Sequence, residues 1–198
     1  MNHTEKCNFL STVMKYIHND MDNESIDYFI KGTKEKSCLK NELIISTENI
    51  HNVIYFLAKG LVRGYYIDDK GNEINTRFMS EGGFATHYYA FISRKPSNYN
   101  FKTVEPCEFL CFDYNHIQDC FNKFKSFERF GRLMAEAIIG KLDSRLESQQ
   151  FDNAQKRYAD FMKDYPNLHN RLSLEQIASY LRVTRPALSR IRAKKIVT

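Results

Sequence analysis

The spacing of apolar residues changes character near Asp113, and that change limits the fold more than any other feature of the sequence. Between about residues 43 and 112 the apolar residues come in short runs broken by turn formers, the pattern of β-strands. Residues 42–46, 53–57, 61–67, 73–79, 100–105 and 107–112 are the predicted strands. The third and fourth are joined by Asp68-Asp69-Lys70-Gly71-Asn72, a glycine-containing hairpin connection. Gly82-Gly83 and Pro106 mark further breaks. Many short strands at near-regular spacing predict a barrel, roll or sandwich. Ahead of them, residues 9–29 are weakly periodic and predicted helical.

After Asp113 the period is helical. Residues 115–124 predict a short helix and residues 126–150 a long one. Along the long helix Phe127, Phe130, Met134, Ile138, Leu142 and Leu146 recur at steps of three and four, with Leu133 and Ala137 broadening the stripe. Such a stripe serves core packing or, on a helix that follows a β module, a dimer seam; both readings fit, on different faces. Asp152, with Gln155 three residues on, predicts the capped start of a helix carrying Tyr158, Phe161, Met162 and Tyr165, closed by Pro166. Ser173 and Gln176 repeat that spacing before Leu174, Ile177, Ala178 and Leu181. Thr184 then caps a last helix containing Leu188 and Ile191, with Pro186 in its first turn, where a missing N–H costs little.

Composition excludes several classes. A hydrophobic fraction of 42%, with 14% aromatic residues, supports a packed core. No apolar run approaches the ~18 residues that cross a bilayer, and the first residues form no apolar leader, so a cytoplasmic location without a membrane partner is expected. The five cysteines are odd in number and scattered, against a disulfide framework. Cys107 and Cys111 alternate with Phe109 in a strand and are expected in the core rather than on a metal. No His-x-x-x-His pair, P-loop or nucleophile elbow occurs, so no metal, no cofactor and no enzyme activity is expected.

Charge is concentrated at one end. From Ala154 to Thr198 ten Lys/Arg face three acids (Asp160, Asp164 and Glu175), a net +7 in a chain of +5, which leaves −2 for residues 1–153. No acid follows Glu175. Two short helices joined by about three residues pack as a right-angled pair when a small residue, here Ala178, lies at the crossing. Ile177, Leu181, Val183, Leu188 and Ile191 are spaced to face inward, which leaves Arg185, Ser189, Arg190 and Arg192 outward. Arginine addresses guanine edges, and arginine, lysine, serine and threonine clamp phosphates. Helix N-termini add backbone donors. The candidate DNA-contacting residues are Ser173, Thr184, Arg185, Ser189, Arg190, Arg192 and Lys194; the alternative is a purely structural helix hairpin with a solvated basic face.

The segment Ser173-Leu-Glu-Gln-Ile-Ala-Ser-Tyr-Leu-Arg-Val-Thr-Arg-Pro-Ala-Leu-Ser-Arg-Ile-Arg closely resembles the helix-turn-helix of Crp/Fnr-family regulators. Gln155-Lys-Arg-Tyr-Ala-Asp-Phe-Met-Lys-Asp-Tyr-Pro is similar to the helix that precedes it. Tyr55-Phe-Leu-Ala-Lys-Gly-Leu-Val-Arg-Gly-Tyr-Tyr resembles the glycine-turned hairpin of their cyclic-nucleotide-binding roll, and Glu81-Gly-Gly-Phe the start of its phosphate cassette. The likeness implies an α+β chain: a jelly-roll-like double-stranded β-roll over residues 1–125, a dimerisation helix over 126–150, and a winged-helix-type domain over 151–198 with a short or absent wing. It further implies a homodimer with Phe127, Phe130, Met134, Ala137, Ile138 and Leu142 in its seam. The implied partners are a pseudo-palindromic double-stranded DNA operator and RNA polymerase.

The departures from the family pattern are informative. Where cyclic-nucleotide-binding members carry Gly-Glu, this chain reads Thr86-His87, and the following Arg-Ser positions read Ser97-Asn98. Arg94 and Lys95 are out of register. A buried monoanion without its arginine forfeits a charge-assisted bond of ~1.5–3 kcal/mol. Loss of cAMP binding is therefore expected. Gly83, Phe84, Thr86, His87, Tyr88, Tyr89, Ser97, Asn98 and Leu142 form the candidate effector pocket, for another small molecule or for none if the aromatic side chains fill it. The clustered N-terminal cysteines of the iron–sulfur branch are absent. Arg182 stands where the turn usually has glycine, and Pro186 where some relatives have a base-reading glutamate. The remaining alternative is a ligand-responsive protein that works through protein contacts and carries a vestigial helix-turn-helix.

Overall fold

A computed structural model describes residues 1–195, with Lys194 and Lys195 described by backbone alone. The chain forms two compact units: Met1–Gly64 with Phe78–Ile138, and Tyr65–Arg77 with the residues from Ile139 onward.

The first unit opens with two helices, α1 (His3–Ile17) and α2 (Asn23–Lys31), where the sequence pattern predicts one weak helical stretch. Asn2 and Glu5 form a reciprocal capping box on α1, and Asp22 caps α2 by accepting from the Ser25 N–H. Asn19, Asp20 and Asp22 bond readily to nearby backbone outside a helix, which favours a break between the two. Lys6 of α1 is 4% exposed, and its Nζ reaches Glu35 at 2.5 Å and Glu108 at 3.0 Å. Hydrogen bonds to these carboxylates outweigh the burial that would otherwise lower the pKa of Lys6, which is raised.

Eight strands follow: β1 (Lys34–Cys38), β2 (Leu43–Ile45), β3 (Val53–Lys59), β4 (Val62–Ile67), β5 (Glu73–Met79), β6 (Phe84–Ala85), β7 (Asn100–Thr103) and β8 (Cys107–Asp113). They make two four-stranded sheets, ordered β1-β8-β3-β6 and β2-β7-β4-β5. A short helix, α3 (Tyr88–Ser93), lies between β6 and β7. The central strands β3 and β8 are antiparallel, with Phe56 opposite Leu110 and Ile54 opposite Phe112. Side chains alternate across a strand, so each contributes to two cores. Phe56, Ala58, Leu110 and Phe112 pack towards the helices. Tyr55, Leu57, Cys107 and Phe109 fill the interior of the roll with Cys38, Ile45 and Phe101. Burial on both faces explains why these strands read as nearly continuous apolar runs. Cys107 sits in that interior and Cys111 packs against it, half-buried, as their alternation predicts.

Two helices complete the series, α4 (Tyr114–Lys123) and the 27-residue α5 (Lys125–Phe151). The apolar stripe of α5 divides. Phe127 and Phe130 are buried in the chain's own core against Phe29, Phe121 and Phe84, and Met134 packs on the same cluster. Further along, Ala137 is exposed and Ile138 half-buried, while Ile139, Leu142 and Leu146 are 65%, 50% and 54% exposed.

The second unit gathers α6 (Ala154–Asp164), α7 (Leu174–Leu181) and α8 (Arg185–Lys195) around Tyr158, Phe161, Leu168, Leu172, Ile177, Ala178, Leu181 and Leu188, all buried. Asn153, rather than the predicted Asp152, caps α6 by accepting from the Lys156 N–H. Asp152 instead pairs with the Lys156 ammonium at 2.6 Å, a charge partner that Asn153 cannot match.

Candidate functional site

The geometry of the α7–α8 pair is set by local hydrogen bonds. At the start of α7 the Gln176 N–H donates to Ser173 Oγ at 3.1 Å and the Ser173 N–H to Gln176 Oε1 at 2.9 Å, a complete capping box. The helix ends at Arg182, whose φ of 53° and ψ of 48° are left-handed. There the Val183 N–H donates to the Ala178 carbonyl and the Arg182 N–H to the Ser179 carbonyl, the paired bonds of a Schellman motif. Arg182 therefore occupies the conformation that usually selects glycine.

The Thr184 Oγ1 accepts from the Ala187 N–H at 3.3 Å and begins α8. Pro186 occupies the first turn, where no intrahelical donor is required. Two other arginines are committed to the C-terminal end of α7. Arg145 donates to the Tyr180 carbonyl and stacks on the Tyr180 ring at 3.9 Å. Arg157 donates to the carbonyls of Leu181 and Asp152. Cations at the C-terminus of α7 complement its dipole. The basic excess counted from Ala154 thus includes a structural charge, Arg157, that sequence counting does not separate from surface ones.

Most of the predicted contact residues lie outward. Arg182, Thr184, Arg185, Ser189 and Arg190 are exposed, as is Ser173, and Arg192 is half-buried. The side chain of Lys194 lies outside the described residues. Arg190 and Ile191 line an open groove with Asn153, Ala154 and Gln155 at the N-terminus of α6. Sequence reasoning did not select Asn153 or Gln155 for this surface; their helix-start positions were the available signal.

In the first unit, His87, Tyr89, Ser97 and Tyr99 come together beside α3. Ser97 is 3% exposed; its Oγ donates to the Tyr99 carbonyl at 2.7 Å and accepts from the Tyr99 N–H at 3.0 Å. With that proton committed, the 3.0 Å contact to His87 Nδ1 requires Nδ1–H as the donor. The imidazole stands edge-on to Tyr99, 4.9 Å between centroids, with Tyr89 at 6.4 Å. The serine hydroxyl is thus saturated by the protein itself.

The other predicted pocket residues are dispersed. Phe84 packs on Phe56 and Phe130, and Gly83 belongs to the turn that closes onto Leu57. Thr86 and Tyr88 are half-buried, and Asn98 is exposed. Leu142 lies on the exposed stretch of α5. Arg94, in left-handed conformation, stacks on Tyr114 at 4.4 Å. Among the described residues no group of three or more His, Cys, Asp or Glu side chains converges on a metal-sized site, and no helix is long and apolar enough to cross a membrane.

Residues 35–124 match the cyclic nucleotide-binding domain family. No curated protein matches the sequence. Among solved structures the chain is similar to FixK2 from Bradyrhizobium japonicum, at 16% identity and a TM-score of 0.70 over 82% of this chain and 83% of that one. A CooA mutant from Carboxydothermus hydrogenoformans aligns at 18% identity and a TM-score of 0.68, covering 83% of this chain and 76% of that one. The c-di-GMP responsive global regulator CLP of Xanthomonas campestris aligns at 16% identity and a TM-score of 0.65, covering 89% and 92%. A β-roll of cyclic nucleotide-binding type, followed by a long helix and a capped helix-turn-helix, gives this chain the fold of the Crp/Fnr regulators.

Proposed function

We propose that the chain is a homodimeric, sequence-specific DNA-binding transcription regulator rather than an enzyme, with residues 1–125 as sensor, 126–150 as the dimerisation helix and 151–198 as reading head. The observation that carries this reading is the outward face of α8. Arg185, Ser189 and Arg190 stand exposed there on a doubly capped helix pair, with no acid after Glu175. Ser173, Thr184 and Arg192 serve phosphates alongside, as does Lys194. The dimer seam is assigned to Ala137, Ile138 and Leu142, continuing through Ile139 and Leu146. Phe127, Phe130 and Met134 support it from within the protomer. RNA polymerase is the expected protein partner.

The sensor does not take cAMP in this reading. By sequence register Ser97-Asn98 falls where cyclic-nucleotide-binding members carry Arg-Ser, and the Ser97 hydroxyl is saturated by Tyr99 and His87. The effector is another small molecule, or the sensor acts without one. The test is anisotropy titration of a duplex selected from a random pool, at two salt concentrations. Arg185→Ala and Arg190→Ala are each expected to weaken binding by ~1–3 kcal/mol. Absence of any selective, salt-sensitive binding refutes the reading and favours a regulator acting through protein contacts. Calorimetric binding of cAMP at micromolar concentration refutes the altered pocket.

A further inference from the structure

Within the second unit, the tip of the β4–β5 hairpin meets the outer face of α7. β5 is the end strand of its sheet, so among the described residues one side of its backbone faces no neighbouring strand. The Glu73 carbonyl and the Asn75 N–H, two residues apart, are the pair that a parallel neighbour would bond. Here a single hydroxyl takes both: Ser179 Oγ accepts from the Asn75 N–H at 2.9 Å and donates to the Glu73 carbonyl at 2.9 Å. The Asn75 side chain, in a residue 2% exposed, donates through Nδ2 to the Gln176 carbonyl at 3.3 Å. Gln176 and Ser179 are three residues apart and share one face of α7. Ile177, Ala178 and Leu181 occupy the inward face. The first helix of the helix-turn-helix is thereby held on one side by its own small core and on the other by a strand edge 101 to 106 residues away in sequence.

We propose that the β4–β5 hairpin is an autoinhibitory latch on the reading head, with Ser179 as its catch; this rests on the DNA-binding reading above. A dimeric helix-turn-helix must place its two recognition helices in successive major grooves, about 34 Å apart, and DNA sets that spacing. A head bonded to the hairpin takes its position from the hairpin instead, so binding must draw on the population in which these three bonds are broken. Both strands run on through the chain into the roll, so a change in strand position there reaches the catch without an intervening loop. Glu73 and Asn75 are the residues through which it would arrive.

The experiment compares full-length wild type, Ser179→Ala and Ser179→Thr. Anisotropy titrations use duplexes selected from a random pool by each protein, and amide exchange is followed at Asn75. Alanine is the better helix former, so α7 persists without the hydroxyl. Ser179→Ala is expected to bind about 5-fold tighter, the low end of allosteric coupling, with faster exchange at Asn75. Ser179→Thr, which keeps the hydroxyl, is expected to match wild type in both. Equal or weaker binding by Ser179→Ala, with Asn75 exchange accelerated, overturns the inhibitory role while leaving the DNA-binding reading intact. Unchanged exchange at Asn75 overturns the catch itself. If no protein selects any duplex, the DNA-binding reading fails, and the latch fails with it.

Discussion

Replacing Arg182 by glycine should stabilise the helix-turn-helix while removing a positive charge from its surface. The residue has φ of 53° and ψ of 48°. An L-residue in that conformation costs roughly 1–2 kcal/mol, because its Cβ approaches the following carbonyl. Glycine removes that strain but returns about 0.5–1 kcal/mol through the greater freedom of its unfolded chain. The net expectation is a gain of about 0.5–1 kcal/mol, provided that the Arg182 side chain contributes little, as its exposure indicates. The amides of Arg182 and Val183 report the gain directly, since they make the two Schellman bonds to Ser179 and Ala178. Native-state exchange at both should slow by about 2- to 5-fold in Arg182→Gly. Arg182→Ala removes the side chain but keeps the left-handed backbone, and should show no such slowing. Faster exchange in the glycine variant would refute the argument, because it would mean that the guanidinium contributes more than the backbone strain costs.

Three further expectations concern the roll. Lys6 bonds hold the carboxyls of Glu35 and Glu108 below the usual range; depressed carboxyl values stabilise above the unfolded value and lose that stabilisation as pH falls through the folded one. The wild-type melting temperature should therefore drop below about pH 4.5, and Lys6→Met should flatten that acid limb; parallel pH profiles would remove Lys6 as its cause. Gly60 has a φ of +107°, and an added methyl would lie 2.6 Å from Cys107 Sγ and 2.7 Å from the Pro106 carbonyl oxygen. Gly60→Ala should cost about 2–5 kcal/mol in denaturant melts, whereas Gly71→Ala, at φ +81° with open space around it, should cost about 1–2; equal costs would show that the overlap is relieved. Burial pushes the thiols of Cys107 and Cys120 up to about 12 and those of Cys38 and Cys111 to about 11. All four should resist iodoacetamide at pH 7.5 in the folded protein and react on unfolding, as read by mass spectrometry.

The helix pair was legible because its signals are local. Ser173 and Gln176 lie one helical turn apart, Thr184 and Pro186 mark the next start, and the buried Ala178 accepts from the Val183 N–H at the turn; each acts within five residues along the chain. The roll was legible in outline for the same reason, since β3 and β8 reveal themselves through runs that are apolar on both faces. β1 was not. Its Lys-Glu-Lys-Ser-Cys sequence has four exposed residues, and it is a strand because β8 offers its backbone partners and Lys6 receives Glu35.

The α5 stripe shows where periodicity stops being informative. Its spacing is uniform from Phe127 to Leu146, yet the first half is sealed by Phe29, Phe121 and Phe84 while the second stands open. Period reports which residues share a face and says nothing of what covers that face. The nominal pocket residues divide in the same way, Ser97 and His87 meeting through a bond between positions ten apart while Phe84 turns into the core.

By itself, then, the sequence determined most of the element types and, for the last two helices, the caps and the basic character, because these depend on near neighbours and on composition. Tertiary structure alone decided which arginines are spent on carbonyls, where the long helix keeps apolar surface, and that Ser179 closes on Asn75 and Glu73. Those outcomes depend on chain segments brought together from 24 to 106 residues apart, and no local pattern encodes such a meeting.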